Sequence, residues 1–445
     1  MTARHVAIVG GGAAGCLLAL ALLRRSPGVR VTVVDRRAAF GRGVAYGATA
    51  AHHRINVLAH KMGGLFPDDD DGFVRWLAKA GRPADPFDAS FVPRAWFGDY
   101  LVSEVAGAQA GGRLVLRVGE VTSLDRTPDG WRCAGDGWAI VADRVVLCPG
   151  NPPPRRVDPD AEGARLVPDV WGPQALDAVA TDASVLVLGT GATAIDAVLD
   201  LAERGHQGPV TMVSRRGLLP RVDVPPVPYP DFFDPALASQ GLRAVVRRLR
   251  EEVSAGAARG AAWQHVVDAF RVHAGAIWWR LGDTDRRRFL RHGRAPWMVH
   301  RHRLAPDIAA RLDGWRRDGR LAVLAARVRS TRVTPDGCDV TVQRAGRPAT
   351  VLRADWVLNC IGPSEDFSRL GDPLWTGLFS GGLVRPGPFG LGLDVDASLR
   401  LRDRDGRAHA DLFTLGLPTR GAFWEVTAVT HIRQQAADLA AFLFP

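Results

Sequence analysis

The sequence predicts an α/β fold in which one βαβ unit followed by a β-meander occurs twice, the second copy lengthened by a helical insertion. Three observations predict it. A glycine-rich turn appears as VAIVGGGAAG and again as VLVLGTGATA, each after a β-branched run and each opening an Ala/Leu-rich helix pattern. The phrase VTVVDRRA at 31–38 returns as VTMVSRRG at 210–217. Strands broken by TPDG close on ADRVVLCPG within 112–150 and on ADWVLNCIG within 319–362.

The first element of each copy is the turn. Gly10, Gly12 and Gly15 form one fingerprint and Gly189, Gly191 and Ala194 the other; Asp35 and Ser214 each lie 20 positions beyond the last of these. Both pairs, Gly10 with Gly189 and Asp35 with Ser214, are 179 positions apart. This is the spacing of two Rossmann-like dinucleotide-binding domains. A tight turn comes first, then a residue without a side chain lets backbone amides approach a pyrophosphate, and the third position lets the helix pack closely.

The meanders and the punctuation set the domain plan. CPGNPPPRR follows the first copy, which places a first domain at 1–170. A second domain follows at 171–365, its insertion covering about 222–310, and 366–445 returns to the first. LRAVVRRLREEV and WQHVVDAFRVHAGAIWWRL read as helices of the insertion, and the stripe Trp278, Trp279 and Phe289 reads as core.

Composition narrows the class. With 445 residues, 47% apolar and 23% charged, the chain supports two or three globular domains. Its apolar run at 6–23 contains four glycines, a poor membrane anchor or signal peptide, so a cytoplasmic protein without membrane attachment is expected. The net charge is +10, yet 55 of the 57 basic residues are Arg, a bias of high-GC bacterial genomes. No nucleic-acid motif accompanies the charge, which suits solubility and small anionic ligands. Cys16, Cys133, Cys148, Cys338 and Cys360 form no CxxC pair and no zinc spacing, so a dithiol mechanism and a metal site are not expected.

The stretches GRGVAYG, HRINVLAHKMGGLFPDDDDGFVRWL, FVPRAWFGDYL, SRRGLLPR, LRHGRAPWMVHRHRLAP and GAFWEVTAVTHIRQQ resemble the bacterial FAD/NAD(P)-binding oxidoreductase family, flavoproteins with two dinucleotide-binding domains related to flavin-dependent N-hydroxylating monooxygenases. The resemblance spans almost the whole chain. It implies that the first unit holds FAD, with Gly10 to Gly15 at the pyrophosphate and Asp35 at the adenosine ribose. Asn56, Arg94 and Gly150 would border the cofactor, although they also read as a turn Asn, a surface Arg and a loop Gly. It implies too that the C-terminal segment closes the flavin sheet and aims a helix N-terminus at the ring, with Gly416, Glu425 and Thr427 nearby. Leu417 stands where many relatives carry an Asp for the ribityl chain. Tyr46, Phe66, Phe423 and Trp424 lie beside these segments as cleft or core aromatics, and no Cys pair marks the disulfide-reductase branch.

The difference between the repeated phrases bears on the second nucleotide. An acidic residue suits a ribose 2′-hydroxyl and repels a 2′-phosphate, whereas Ser214 followed by Arg215 and Arg216 offers a hydroxyl and two cations. The second unit is therefore expected to bind NADPH, with a solvated arginine pair as the bland reading. His300, Arg301 and Arg303, in the basic run at the end of the insertion, read either as a solvated loop or as a clamp for a substrate carboxylate or phosphate. Together with Tyr46 and Trp424 they are the substrate candidates; catalytic residues are not assigned.

Three functions follow. The leading one is an FAD- and NADPH-dependent monooxygenase that uses molecular oxygen, through a flavin hydroperoxide, on an amine or other soft nucleophile of a small acidic molecule. The others are a reductase or dehydrogenase without oxygen transfer, and a non-catalytic redox-sensing flavoprotein. Fold alone does not choose among them.

Overall fold

The computed structural model describes residues 4–47, 50–83, 90–158 and 161–445. They form two compact units, one of 1–152 with 364–445, the other of 153–363. The boundary falls at 152 rather than near 170, because Leu166–Val167 pairs in parallel with Trp356–Asn359 of the second unit's sheet. At the other end the chain re-enters the first unit at Ser364.

The first unit has a six-stranded sheet in the order Arg400–Arg402, Ala408–Thr414, Arg144–Leu147, His5–Val9, Arg30–Asp35, Leu114–Val118. All neighbours are parallel except the first pair. Strand alternation sorts the side chains. Val6, Ile8, Val31, Val33 and Val146 face a core with the helices Ala13–Arg25, Arg94–Ala110 and Val429–Leu443. Ala7, Val34, Val145 and Leu147 face the meander Ser123–Thr127, Gly130–Gly135, Trp138–Ala142, where Trp131 is fully buried.

The second unit repeats this plan with a parallel five-stranded sheet, in the order Leu321–Ala325, Val210–Ser214, Val185–Leu188, Trp356–Asn359, Leu166–Val167. Its meander, Arg327–Thr334, Gly337–Gln343 and Ala349–Ala354, covers one face through Cys338, Val340 and Val342. Both meanders turn at TPDG. The insertion is helical, with Leu242–Ala258, Trp263–Arg271, Ala274–Arg280 and Asp283–Arg288, then a π-helical turn Phe289–Gly293 that continues into Arg294–Arg301. Trp278 is buried as a core residue, whereas Trp279 is 47% exposed. No helix among the described residues is long and apolar enough to cross a membrane; the apolar run at 6–23 is a strand, a turn and a helix.

Candidate functional site

In the first unit the turn is built by close backbone approach. Gly10 has φ of +109°, and a Cβ there would stand 2.0 Å from the carbonyl oxygen of Cys148 on the neighbouring strand's exit. A Cβ on Gly15 would stand 1.9 Å from the Gly10 oxygen, so only glycine lets the first helix sit this close to the turn. Gly12 caps that helix without any side-chain cap, which leaves the first-turn amides for an outside acceptor.

Asp35, half-buried at the end of the second strand, is fixed from both oxygens: Gly11 N–H donates to Oδ2 at 2.7 Å and Arg37 N–H to Oδ1 at 2.8 Å. A carboxylate so held keeps acceptor capacity for sugar hydroxyls. Gly150, with φ of +67°, leaves open space at the exit of strand Arg144–Leu147.

The other first-unit candidates gather on two segments. Residues 53–56 run beside 92–94: Arg94 N–H donates to the His53 oxygen at 2.7 Å, and Arg94 Nη2 donates to the Arg54 oxygen at 3.3 Å. Asn56 is exposed and Arg94 half-buried. Tyr46 packs on Phe97 at 4.9 Å, and desolvation pushes its phenol up to about 12 despite the nearby charge of Arg94. Phe66 and Phe423 pack against the core.

The C-terminal segment joins the same end of the sheet. Gly416 follows strand Ala408–Thr414 with φ of +82°, and a Cβ there would stand 3.9 Å from the Ala14 Cβ at the start of the first helix. Gln435 accepts from Gly416 N–H at 3.1 Å and donates to Thr419 Oγ1 at 3.1 Å, which ties the last helix to this turn. Buried Arg433 secures the same helix by donating to the oxygens of Met62 and Gly64. Glu425 is half-buried and Thr427 exposed just before that helix, whereas Trp424 is buried and packs as a wall. Gln435 and Arg433 escaped sequence reasoning because a Gln and an Arg on an amphipathic helix carry no motif.

The second unit keeps the positive-φ turn, with Ala194 where the first unit has Gly15, and changes the chemistry. Gly189 has φ of +122°, and its Cβ would meet the Cys360 oxygen at 2.4 Å; Gly191 caps the helix Ala192–Glu203 in open space, and Ala194 is fully buried. Thr190 Oγ1 donates to the Leu218 oxygen at 2.7 Å and lies 2.9 Å from Ser214 Oγ, which accepts from Gly217 N–H at 3.0 Å. Arg215 and Arg216 are exposed beyond this strand end. Thr190 lies at an unconstrained position of the fingerprint, so its role was invisible in the sequence.

The basic run divides. Arg303 is a buried brace: its Nε lies 2.7 Å from Asp223 Oδ1, and its Nη2 donates to both oxygens of Asp268 at 2.8 Å. Its charge is therefore committed within the unit, which argues against its part in a substrate clamp. Arg301 is buried as well, and His300 Nδ1 lies 2.7 Å from the Pro296 oxygen with its ring on Trp263. The five cysteines are free and buried, and burial pushes every one of their thiols up, so none is poised as a thiolate.

Residues 7–152 match the model of a FAD-NAD(P)-binding family. The fold of the whole chain is similar to that of ornithine hydroxylase from Pseudomonas aeruginosa, at a TM-score of 0.67 and 18% identity, covering 99% of this chain and 98% of that one. L-lysine 6-monooxygenase from Pseudomonas syringae is similar at 0.67 and 19%, covering 98% of each chain. An ornithine N-hydroxylase from Kutzneria sp. 744, whose structure holds reduced FAD, NADP+ and L-ornithine, is similar at 0.66 and 18%, again covering 98% of each. At these identities the likeness carries the fold. No curated protein matches the chain by sequence.

Proposed function

We propose that this chain is an FAD-dependent, NADPH-using monooxygenase that oxygenates an amine or other soft nucleophile of a small molecule bearing an acidic group. One observation carries the two-cofactor part of the reading: a single chain holds two dinucleotide turns whose second strands end differently, on the carboxylate of Asp35 and on the hydroxyl of Ser214, and the proteins of similar fold support the oxygenase part. A chain that binds both a flavin and a nicotinamide nucleotide needs such a pair. The proteins of similar fold include hydroxylases of ornithine and a monooxygenase of lysine, amino acids whose amine and carboxylate fit the proposed substrate class.

The residues fit the two cofactors. In the first unit the helix Ala13–Arg25 begins at Gly12 with no side-chain cap on its first-turn amides, Asp35 presents acceptors to a ribose, and Gly150 and Gly416 clear space beside them. In the second, Gly189, Gly191 and Ala194 repeat the cradle, and Ser214 removes the anion that would repel a 2′-phosphate. Flavin held by these residues would supply the redox chemistry that links the nicotinamide to oxygen. The chain's part is to bind, to orient and to exclude water. Half-buried Tyr46 stays a neutral phenol that can donate a hydrogen bond, and buried Trp424 adds an apolar wall in the segment leading to the last helix.

Mixing NADPH-reduced protein with oxygenated buffer in a stopped-flow spectrometer tests the reading. A transient distinct from both reduced and oxidised flavin, and a product one oxygen heavier when candidate amines are present, is the expected result. Direct reoxidation with every amine and thiol tried would replace the oxygenase with a reductase.

A further inference from the structure

The two units differ in charge at a second position that the repeated phrases do not contain. In the first unit Val118 lies opposite Asp35, and Gly119 N–H donates to the Asp35 oxygen at 2.9 Å. The next residue, Glu120, pairs with Arg36 at 3.8 Å. In the second unit Ala325 lies opposite Ser214, and Ala326 N–H donates to the Ser214 oxygen, also at 2.9 Å. The next residue is Arg327. Where the first unit sets an acid beside its strand-end arginine, the second sets another cation beside Arg215.

Two more arginines converge there. Arg216 Nη2 donates to the Arg291 oxygen at 3.5 Å, within the π-helical turn Phe289–Gly293, and Arg294 begins the helix that follows. Arg155 is held at the exit of strand Trp356–Asn359, its N–H donating to the Gly362 oxygen at 3.1 Å and its oxygen accepting from Asn359 Nδ2 at 3.3 Å. The electrostatics agree with this placement. The Arg215 guanidinium is held below its ordinary range by desolvation first and then by the charges of Arg155, Arg294, Arg327 and Arg216. Cations gathered at a strand end favour an anionic ligand there, to which guanidinium groups can donate charged hydrogen bonds.

We propose that Arg155, Arg294 and Arg327 join Arg215 and Arg216 in one anion site that takes the 2′-phosphate of the nicotinamide nucleotide. The helical insertion and the meander then set nucleotide choice together with the second strand. This rests on the NADPH reading above and extends it to three residues outside the repeated phrase. Ser214 marks the ribose end of the Rossmann turn, which makes a ribose phosphate the anion that fits the site.

Calorimetric titration of the oxidised, FAD-loaded protein with NADP+, NAD+ and adenosine 2′,5′-bisphosphate tests it without turnover. Arg327→Glu, which restores the first unit's charge pattern, should weaken NADP+ and the bisphosphate about tenfold or more, the scale of one lost charged hydrogen bond, and leave NAD+ unchanged. Arg294→Ala, Arg155→Ala and the milder Arg327→Ala should act in the same direction, with flavin content and melting temperature confirming intact protein. Equal losses for NADP+ and NAD+, or no loss for either, would overturn the site. A wild-type protein that binds both nucleotides alike removes the NADPH reading itself. One that prefers NADP+ and loses the preference in Arg215→Ala, yet keeps it in Arg327→Glu and Arg294→Ala, removes only the larger site.

Discussion

Gly11 donates its amide hydrogen to Oδ2 of Asp35 at 2.7 Å, and at the matching place in the second unit Thr190 Oγ1 and Ser214 Oγ are in hydrogen-bond contact at 2.9 Å. In both units the residue after the first glycine of the turn is tied to the end of the second strand. The tie fixes the distance between the glycine turn and the end of the second strand, the places proposed for the pyrophosphate and the ribose. It is made to a carboxylate in one unit and to a hydroxyl in the other.

Asp35→Ala removes the acceptor for Gly11, for Arg37 and for a ribose at once. FAD affinity should fall about tenfold or more, from the 1.5 to 3 kcal/mol of a charged hydrogen bond. Gly12→Trp should fill the cradle and weaken FAD as well. Flavin absorbance per chain after gel filtration measures both, and full occupancy in both variants would refute the assignment.

Ser214→Asp should reverse the nucleotide preference. The new carboxylate can accept from Gly217 N–H as the hydroxyl does, so the turn is kept while a 2′-phosphate is repelled. Flavin reduction at subsaturating nucleotide should become faster with NADH than with NADPH. An unchanged ratio would separate Ser214 from nucleotide choice.

Arg303→Ala should act on stability. It leaves Asp223 without its buried cation and Asp268 with Arg271 alone, at a cost of about 3 kcal/mol. The urea midpoint should drop, with no selective rise in the KM of any substrate. A variant as stable as the wild type and impaired only in substrate KM would restore Arg303 to the clamp.

His5 should make the first unit acid-sensitive. Its ring is buried between the Val141 oxygen at 2.8 Å from Nδ1 and Thr32 Oγ1 at 2.8 Å from Nε2, and desolvation holds it below the usual imidazole range. The unfolded chain therefore takes up the proton more readily than the folded one. The neutral ring's contribution is complete above about pH 6.5, the unfolded value, and is lost as the pH falls below it. His5→Gln should flatten the decline in melting temperature between about pH 6.5 and 5; an identical slope in both proteins would assign the acid sensitivity elsewhere.

The α/β repeat, both glycine turns, the meander turns at TPDG and the helical insertion were legible in the residues alone. Each is a local matter: alternation of apolar residues sets a strand, glycine at Gly10 and Gly189 permits a positive φ, and fixed spacing places Asp35 and Ser214 at strand ends. The return of the C-terminal segment was expected from family resemblance, and its anchors, Gln435 on Gly416 and Arg433 on the oxygens of Met62 and Gly64, were not. Nor did the basic run reveal that Arg303 is spent on Asp223 and Asp268, or that Arg327 takes the place of Glu120 beside the second strand. Backbone periodicity is written over a few neighbouring residues. The partner of a long charged side chain depends on which distant segments the strand register and helix packing bring within about 3 Å, and only the folded chain decides that.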